Sequence, residues 1–272
     1  MKNLLIYINP RKDFDDESKI AIKIQIDNSL DLGWKREDIM LVTNFPYEYN
    51  GVIALQSGDE NYCPYFPPAS KICTIVELFE KGFIEKGQIY WFHDLDVFQN
   101  EAITEAEIIS ELSTAEFGLT DKGRMPQWNT GTIFFKGSAS DIFRMIKELS
   151  RKYETNEEFA LRAITTNNIL WATVRSALNN DQIILADIPG AENCDKRVKK
   201  INISYNLRPW NIDSTYRMAI KPIRAVQFHP LEARPCISGV TPLEFFMYGK
   251  NKINTVLMPE RLIKIFIQHG IK

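Results

Sequence analysis

Long apolar runs are missing from this sequence. The nearest to one, Leu4-Leu5-Ile6-Tyr7-Ile8, is stopped by Asn9-Pro10 and is too short for a signal-peptide core or a membrane span. No other stretch is long enough to cross a bilayer, so a membrane-borne partner would be met from the soluble side. Charge of one sign is missing too: 33 basic residues face 35 acidic ones, a net charge of −2. No overall field therefore draws the chain to nucleic acid or to a membrane surface. Neither G-x-x-x-x-G-K-[ST] nor G-x-G-x-x-G occurs, which removes support for P-loop and dinucleotide-binding readings. Cysteine is sparse: Cys63, Cys73, Cys194 and Cys236 form no C-x-x-C pair and no short metal spacing. Buried thiols in a reducing compartment are the expectation. Repeats, low-complexity tracts and linkers are absent as well, so residues 1–272 read most simply as one domain.

What is present is an alternation of strand and helix signals. Asn3–Ile8 is a short apolar run ended by Asn-Pro, expected as a buried first strand. Ser18 to Gly33 is ambiguous, because Ile20, Ile22, Ile24 and Ile26 alternate like a strand. Its length, the cap candidates Asp15, Asp16 and Ser18, and Gly33 as a helix stop favour a helix. Strands follow at Ile39–Thr43 and Gly51–Leu55. Ser70 is then expected to cap a helix over Lys71–Phe83, where Ile72, Ile75, Val76 and Phe79 recur at helical spacing. Gln88–Phe92 is strand-like and runs into His93-Asp94-Leu95-Asp96. The order β-α-β-β-α-β predicts an α/β fold, with a mixed, mainly parallel central sheet flanked by helices.

Beyond it, the sequence predicts a helix (Glu101–Leu112), a strand (Glu116–Thr120), a polar loop (Asp121 to Thr130) and a strand (Thr132–Lys136). Helices near Ala139–Tyr153 and Glu157–Asn179, a strand within Asp181–Ile188, a strand at Ala225–Phe228 and a final helix, Glu260–His269, complete the reading.

Asp94 and Asp96 stand where the carboxyl end of a buried strand is expected, the edge at which open α/β sheets place ligands. A lone D-x-D is common at solvated strand ends and turn caps. Two like charges closing an apolar strand are unfavourable, however, unless something positive sits between them. On an extended segment residues two apart point to one side, so both carboxylates are expected to face one divalent cation, with Leu95 turned inward.

Several segments, in order, resemble the GT-A glycosyltransferases. Ile89 to Val97 looks like their strand plus D-x-D, and Trp128-Asn129-Thr130-Gly131 with the apolar run to Lys136 looks like their N-T-G strand. Asn180-Asp181-Gln182 is similar to the later D-Q element, and Ala225 to Pro230 to the late strand ending in a metal-binding histidine. The resemblance spans roughly Asn3 to Pro235 and looks closest to small stand-alone or virus-encoded members.

It implies a single-domain GT-A (Rossmann-like) fold, with about 1–100 binding nucleotide and about 101–272 binding donor sugar and acceptor. It also implies transfer of a sugar from a nucleotide diphosphate sugar to a hydroxyl of a glycan or other acceptor. The place of action would be the cytoplasm, or the host cytoplasm for a viral protein. A divalent cation held by Asp94, Asp96 and His229 would offset charge on the departing diphosphate. Two carboxylates with one imidazole suit Mn²⁺ better than Mg²⁺.

Other candidates carry two readings each. Asn129 and Gly131 are expected beside the donor sugar, with Gly131 allowing close backbone approach; Trp128 either stacks on a sugar ring or packs in the core. Asp181 is either a carboxylate at the reacting sugar or a turn cap, and Asp121 is the second catalytic candidate. Asn9 and Arg11 after the first strand, with Thr43 and Asn44 after the second, are placed to meet base and ribose. Lys71 puts a cation in the first turn of a helix, an end that favours anions; a bound diphosphate would relieve the mismatch. His93 reads as structural and His269 as exposed. The basic stretch Lys196 to Lys200 is either a solvated face or a loop closing over the diphosphate. Two rivals remain: a sugar-1-phosphate nucleotidyltransferase, which normally has a glycine-rich loop where this chain has Asn9-Pro10-Arg11-Lys12-Asp13, and a non-catalytic nucleotide-sugar or glycan binding module.

Overall fold

The computed structural model describes residues 1–122, 128–165, 194–208, 219–228 and 258–271. Eleven strands are described: β1 (Lys2–Tyr7), β2 (Ile39–Thr43), β3 (Glu48–Tyr49), β4 (Val52–Ile53), β5 (Leu55–Gln56), β6 (Ile89–His93), β7 (Val97–Gln99), β8 (Phe117–Asp121), β9 (Trp128–Lys136), β10 (Val198–Lys200) and β11 (Ala225–Gln227). Seven form the central sheet, in the order β10-β8-β9-β6-β1-β2-β5. Every pairing in it is parallel except those of β9, which runs against β6 and β8. β7 and β11 make a second, antiparallel pair, and β3 and β4 a small hairpin. This is the mixed, mainly parallel α/β sheet that the element order predicts.

Helices cover both faces: α1 (Asp16–Asp31), α2 (Ser70–Glu80), α3 (Glu105–Leu112), α4 (Ser140–Lys152), α5 (Glu157–Ile164) and, near the C-terminus, α6 (Glu260–Gln268). The strand period of two decides which side chain meets which helix. Tyr90 and Phe92 of β6 and Ile133 and Phe135 of β9 face α2, α4 and α5, packing on Ile72, Ile75, Phe143 and Leu161. Trp91 and Phe134 point the other way, onto Ile108 and Leu112 of α3. Each such side chain, fully withdrawn from water, contributes roughly 1.5–3 kcal/mol of hydrophobic stabilisation.

The ambiguous isoleucines of α1 have a physical explanation. Ile22 and Ile26, four apart, pack with Leu5 and Leu41 against the central sheet. Ile20 and Ile24, also four apart, meet Phe98, Val226 and Phe266 on the opposite side. The helix is clamped between two layers, so apolar residues are needed on both faces and the sequence mimics a strand. Asp15 caps it by accepting the Ser18 N–H at 2.7 Å, and Gly33 (φ +87°) closes it.

Five expected elements differ in the structure. The helix expected over Glu157–Asn179 ends at Ile164, and residues 166–193, with the strand expected within Asp181–Ile188, lie outside the described residues. Ser70 is not a cap: the turn Pro67–Ala69 runs directly into α2, and the Ser70 hydroxyl instead accepts the Cys63 N–H at 2.9 Å. The expected strand Gly51–Leu55 is two strands, β4 in the hairpin and β5 on the sheet edge. α3 starts at Glu105, four residues late, because Thr104 caps it by accepting the Glu107 N–H. β9 begins at Trp128, inside the expected polar loop. No helix among the described residues is long and apolar enough to cross a membrane.

Candidate active site

β1, β2 and β6 run in parallel, so their carboxyl ends lie on one edge of the sheet; β9, reversed, begins there. The register pairs His93 with Thr132, and the Asp94 N–H donates to the Gly131 carbonyl at 2.9 Å, extending that ladder by one rung. The partner of β8 jumps from Ile133 at Leu119 to Asn129 at Thr120. Thr130 to Thr132 therefore bulge out of the β8 ladder toward the carboxylates.

Asp94 and Asp96 are not on extended chain, as the sequence suggests, but on a tight turn. The Val97 N–H closes it on the Asp94 carbonyl at 3.0 Å. Gln25 of α1 holds the turn from outside, its Nε2 donating to the carbonyls of Leu95 (2.9 Å) and Val97 (2.7 Å). Leu95 packs, half-buried, on the cluster around Leu5 and Phe14. The Phe228 N–H of the neighbouring chain segment donates to the Asp96 carbonyl at 2.9 Å.

Each carboxylate has its own brace. Lys71 Nζ, on a side chain only 5% exposed, sits 3.0 Å from Asp94 Oδ1 and 3.1 Å from Glu157 Oε1, and donates to the Thr130 carbonyl at 3.2 Å. Glu157 also accepts the Thr130 hydroxyl at 2.9 Å. Burial by itself would push the Lys71 ammonium down, but the charges of Asp94 and Glu157 outweigh it and hold its pKa well above the usual value. Burial likewise works to raise Glu157, and the Lys71 charge with hydrogen bonds from its own backbone and Thr130 brings it below the usual carboxylate range.

Asp96 is braced by Gln227 of β11, whose Nε2 lies 3.3 Å from both carboxylate oxygens. The Gln227 Oε1 in turn accepts from Asn129 Nδ2 at 3.1 Å, and Asn129 Oδ1 accepts the Gly131 N–H at 3.0 Å. A Cβ on Gly131 would sit 2.9 Å from Gln227 Nε2, so a side chain here would displace the amide that braces Asp96.

A cavity of about 660 Å³ opens at this edge, with Tyr7, Asn9, Arg11, Lys71, Phe92 and Asp94 in its wall. Its size suits a small organic ligand. Asn9 spends its amide on its own loop, donating to Tyr7 Oη and the Asp13 carbonyl and accepting the Arg11 N–H, all at 3.0 Å. Arg11 is exposed at the mouth. Thr43 and Asn44 are buried. Thr43 bonds the Phe45 carbonyl, and Asn44 exchanges hydrogen bonds of 2.9–3.0 Å with the Asn9 backbone. That pair ties the loop that carries Asn9 and Arg11.

Asp121 ends β8, buried, and is ion-paired with Lys200. The basic stretch is a solvated face of an ordered element and not a closing loop: it enters edge strand β10 with Lys196, Lys199 and Lys200 exposed and Arg197 fixed by Glu116 and Asp141. Trp128 is core, its indole N–H donating to the Thr165 hydroxyl at 3.0 Å. His93 is buried against Asn3 Oδ1 at 3.0 Å, and burial pushes its imidazole down to about 4. His269 is not exposed as expected but half-buried, with Nε2 2.8 Å from Asp27. Asp181 and His229 lie outside the described residues. Among the described residues no group of three or more His, Cys, Asp or Glu side chains gathers into a metal-binding cluster.

Glu157, Gln227 and Gln25 went unnoticed in the sequence. Each looks ordinary there, a first-turn acid or an amide on an apolar element, and its meaning comes from partners 27 to 131 positions away (Thr130–Glu157, for example, or Asp96–Gln227).

No family model and no curated protein matches the sequence. Among solved structures, galactosyltransferase LgtC in complex with donor and acceptor sugar analogues aligns over 97% of this chain and 100% of its own, with TM-score 0.53 and 13% identity. An active-site mutant of LgtC aligns over 88% of this chain and 92% of its own, with TM-score 0.53 and 12% identity. The glycosyltransferase GlyE of Streptococcus pneumoniae TIGR4 gives 100%, 65%, 0.53 and 9% for the same quantities. The chain has a GT-A-type glycosyltransferase fold. In this GT-A-type fold the cavity, the Asp94–Val97 turn and the bulge of β9 occupy the carboxyl edge of the parallel strands, where α/β folds bind ligands.

Proposed function

We propose that this chain is a metal-dependent glycosyltransferase, moving a sugar from a nucleotide diphosphate sugar to a hydroxyl of a glycan or other acceptor. The observation that carries the reading is the Asp94–Val97 turn. It sets two carboxylates at the carboxyl edge of the parallel strands, Asp94 in the wall of a ligand-sized cavity and each acid fixed by a separate brace. Surplus negative charge held rigidly beside a cavity suits a hard cation, which takes carboxylate oxygens and leaves other positions for phosphate. Asp94 and Asp96 would hold Mn²⁺ or Mg²⁺, with His229 as a further ligand. The cation supplies Lewis-acid stabilisation of the departing diphosphate.

The chain's own residues do the rest. Lys71 and Gln227 keep the two carboxylates from swinging when the site is filled, which limits the reorganisation that catalysis would otherwise have to overcome. The loop with Asn9 and Arg11, tied by Asn44 and followed by Thr43 beneath it, frames the nucleotide end of the cavity. Residues of about 1–100 thus form the nucleotide part, and about 101–272 the donor-sugar and acceptor part. Asn129 and Gly131 border the sugar, and Asp181 or Asp121 supplies the carboxylate at the reacting centre. We read the protein as cytoplasmic and related to the smaller, including virus-encoded, enzymes of this fold; the buried free thiols of Cys63, Cys73 and Cys194 suit a reducing compartment.

Product analysis tests the proposal. With a panel of nucleotide sugars, Mn²⁺ and mixed hydroxyl acceptors, the expected product is the free nucleoside diphosphate together with a glycosylated acceptor. Pyrophosphate release would assign a nucleotidyltransferase, and donor binding without any product a non-catalytic module.

A further inference from the structure

Lys71 has more negative charge around it than it needs. Its buried ammonium pairs with Asp94 at 3.0 Å and with Glu157 at 3.1 Å. One carboxylate would suffice to neutralise it, and a neutral Lys71–Asp94 pair would leave Asp94 no charge to offer a cation. Glu157 is a costly second partner: its side chain is 3% exposed, and taking a carboxylate out of water carries a penalty of several kcal/mol. The fold fixes it firmly. It is the first residue of α5, the helix capped by Asn156 accepting the Phe159 N–H at 2.7 Å. Its Oε1 is held by the Thr130 hydroxyl at 2.9 Å, while Oε2 has no hydrogen-bond partner among the described residues.

We propose that Glu157 is a positioning residue that cancels the charge of Lys71, so that Lys71 holds Asp94 in place without neutralising it. The inference rests on Asp94 and Asp96 as the cation site. Among the described residues, three carboxylates (Asp94, Asp96 and Glu157) stand against the one ammonium of Lys71, a surplus of two negative charges within these four groups. With a neutral residue at 157 the surplus falls to one. Lys71 is thereby a clamp, and Glu157 the group that keeps the clamp from occupying the site electrostatically. Glu157 itself faces Lys71 and Thr130, and touches neither donor nor acceptor in this role.

The test measures Mn²⁺ alone, by the electron paramagnetic resonance signal of the free ion titrated with protein, on wild type, E157Q, K71Q/E157Q and D96N, each checked for a cooperative thermal melt. E157Q should bind Mn²⁺ about tenfold more weakly than wild type, equivalent to about 1.4 kcal/mol. The isosteric pair K71Q/E157Q restores the surplus of two charges and should return to within about threefold of wild type; a residue that merely packs gives no such rescue. Should E157Q fail to fold, the double variant still decides, since the inference requires it to bind near the wild-type level. Wild-type affinity in E157Q, or tenfold weakness in K71Q/E157Q, would overturn the inference alone, provided D96N is weak. Equal Mn²⁺ affinity in wild type and D96N would remove the cation site itself, and the inference with it.

Discussion

Replacing Lys71 by methionine exposes the energetics of the buried charge cluster. Asp94 is 34% exposed, and water takes over most of what the ammonium supplied, so little of the loss falls there. Glu157, 3% exposed, keeps its burial and loses its counter-ion. Breaking a buried pair from one side costs about 3–5 kcal/mol; with the Thr130 hydroxyl still donating, about 3 kcal/mol is expected at pH 8.

The pH dependence fixes the sign. In the wild type burial acts to raise Glu157, but Lys71 wins and holds it low. Its stabilisation is therefore present above the ordinary glutamate pKa and is lost as pH falls through the folded value. In Lys71→Met burial is opposed only by the backbone and Thr130 hydrogen bonds; Glu157 should titrate above its ordinary range, and the variant loses stability as pH rises through that raised value. The gap between the two proteins should thus be wide at pH 8 and narrow toward pH 5, by about 1.4 kcal/mol for each unit the variant's carboxyl is raised and crossed. Urea unfolding at both pH values, followed by the fluorescence of buried Trp91 and Trp128, measures it. A gap equal at both pH values, or under about 1 kcal/mol at pH 8, refutes the reasoning.

Other perturbations act on the same edge. Gly131→Ala puts a methyl group 2.9 Å from Gln227 Nε2 and 3.1 Å from Asn129 Oδ1. It should cost about 1–2 kcal/mol in a thermal melt but lower kcat/KM by roughly tenfold or more, because the Asp96 brace moves. Gln25→Leu leaves the Leu95 and Val97 carbonyls without their donor and should destabilise by about 2–3 kcal/mol in urea, with a further loss of Mn²⁺ affinity as the turn loosens. His93, pushed down to about 4 by burial, must take up a proton on acid unfolding. The wild type should lose up to about 3 kcal/mol as pH falls from about 6.5 to 4, and His93→Gln should flatten melting temperature over that window.

Much of the fold was legible because local and tertiary demands agree. β1, β2 and β6 are apolar runs stopped by Asn-Pro, Thr-Asn and His-Asp, and α4 and α6 bury one stripe each. α1 was legible only through its length and ends, since clamping between two layers erased its amphipathic period. Boundaries failed where a tertiary partner redefined the local chemistry. The Cys63 N–H claimed the Ser70 hydroxyl, and pairing with β8 drew Trp128 and Asn129 out of their expected loop. The carboxylate pair stood out because a buried strand ends in charge. The turn that carries it did not, because its closing partners, Gln25 and Gly131, lie in distant elements. The counter-charges of Lys71 were equally invisible: its helix position suggested a missing anion, and two protein carboxylates supply it.

The central claim is that Asp94 and Asp96 hold a cation through which a nucleotide sugar binds. Melting curves with a panel of nucleotide sugars, with and without Mn²⁺, on wild type and Asp96→Ala test it most directly. A donor at about a hundredfold over its Kd stabilises by about 2.7 kcal/mol. For at least one donor a shift of several degrees should therefore appear only with Mn²⁺ and vanish in Asp96→Ala. The same shift without Mn²⁺, or undiminished in Asp96→Ala, would contradict the account.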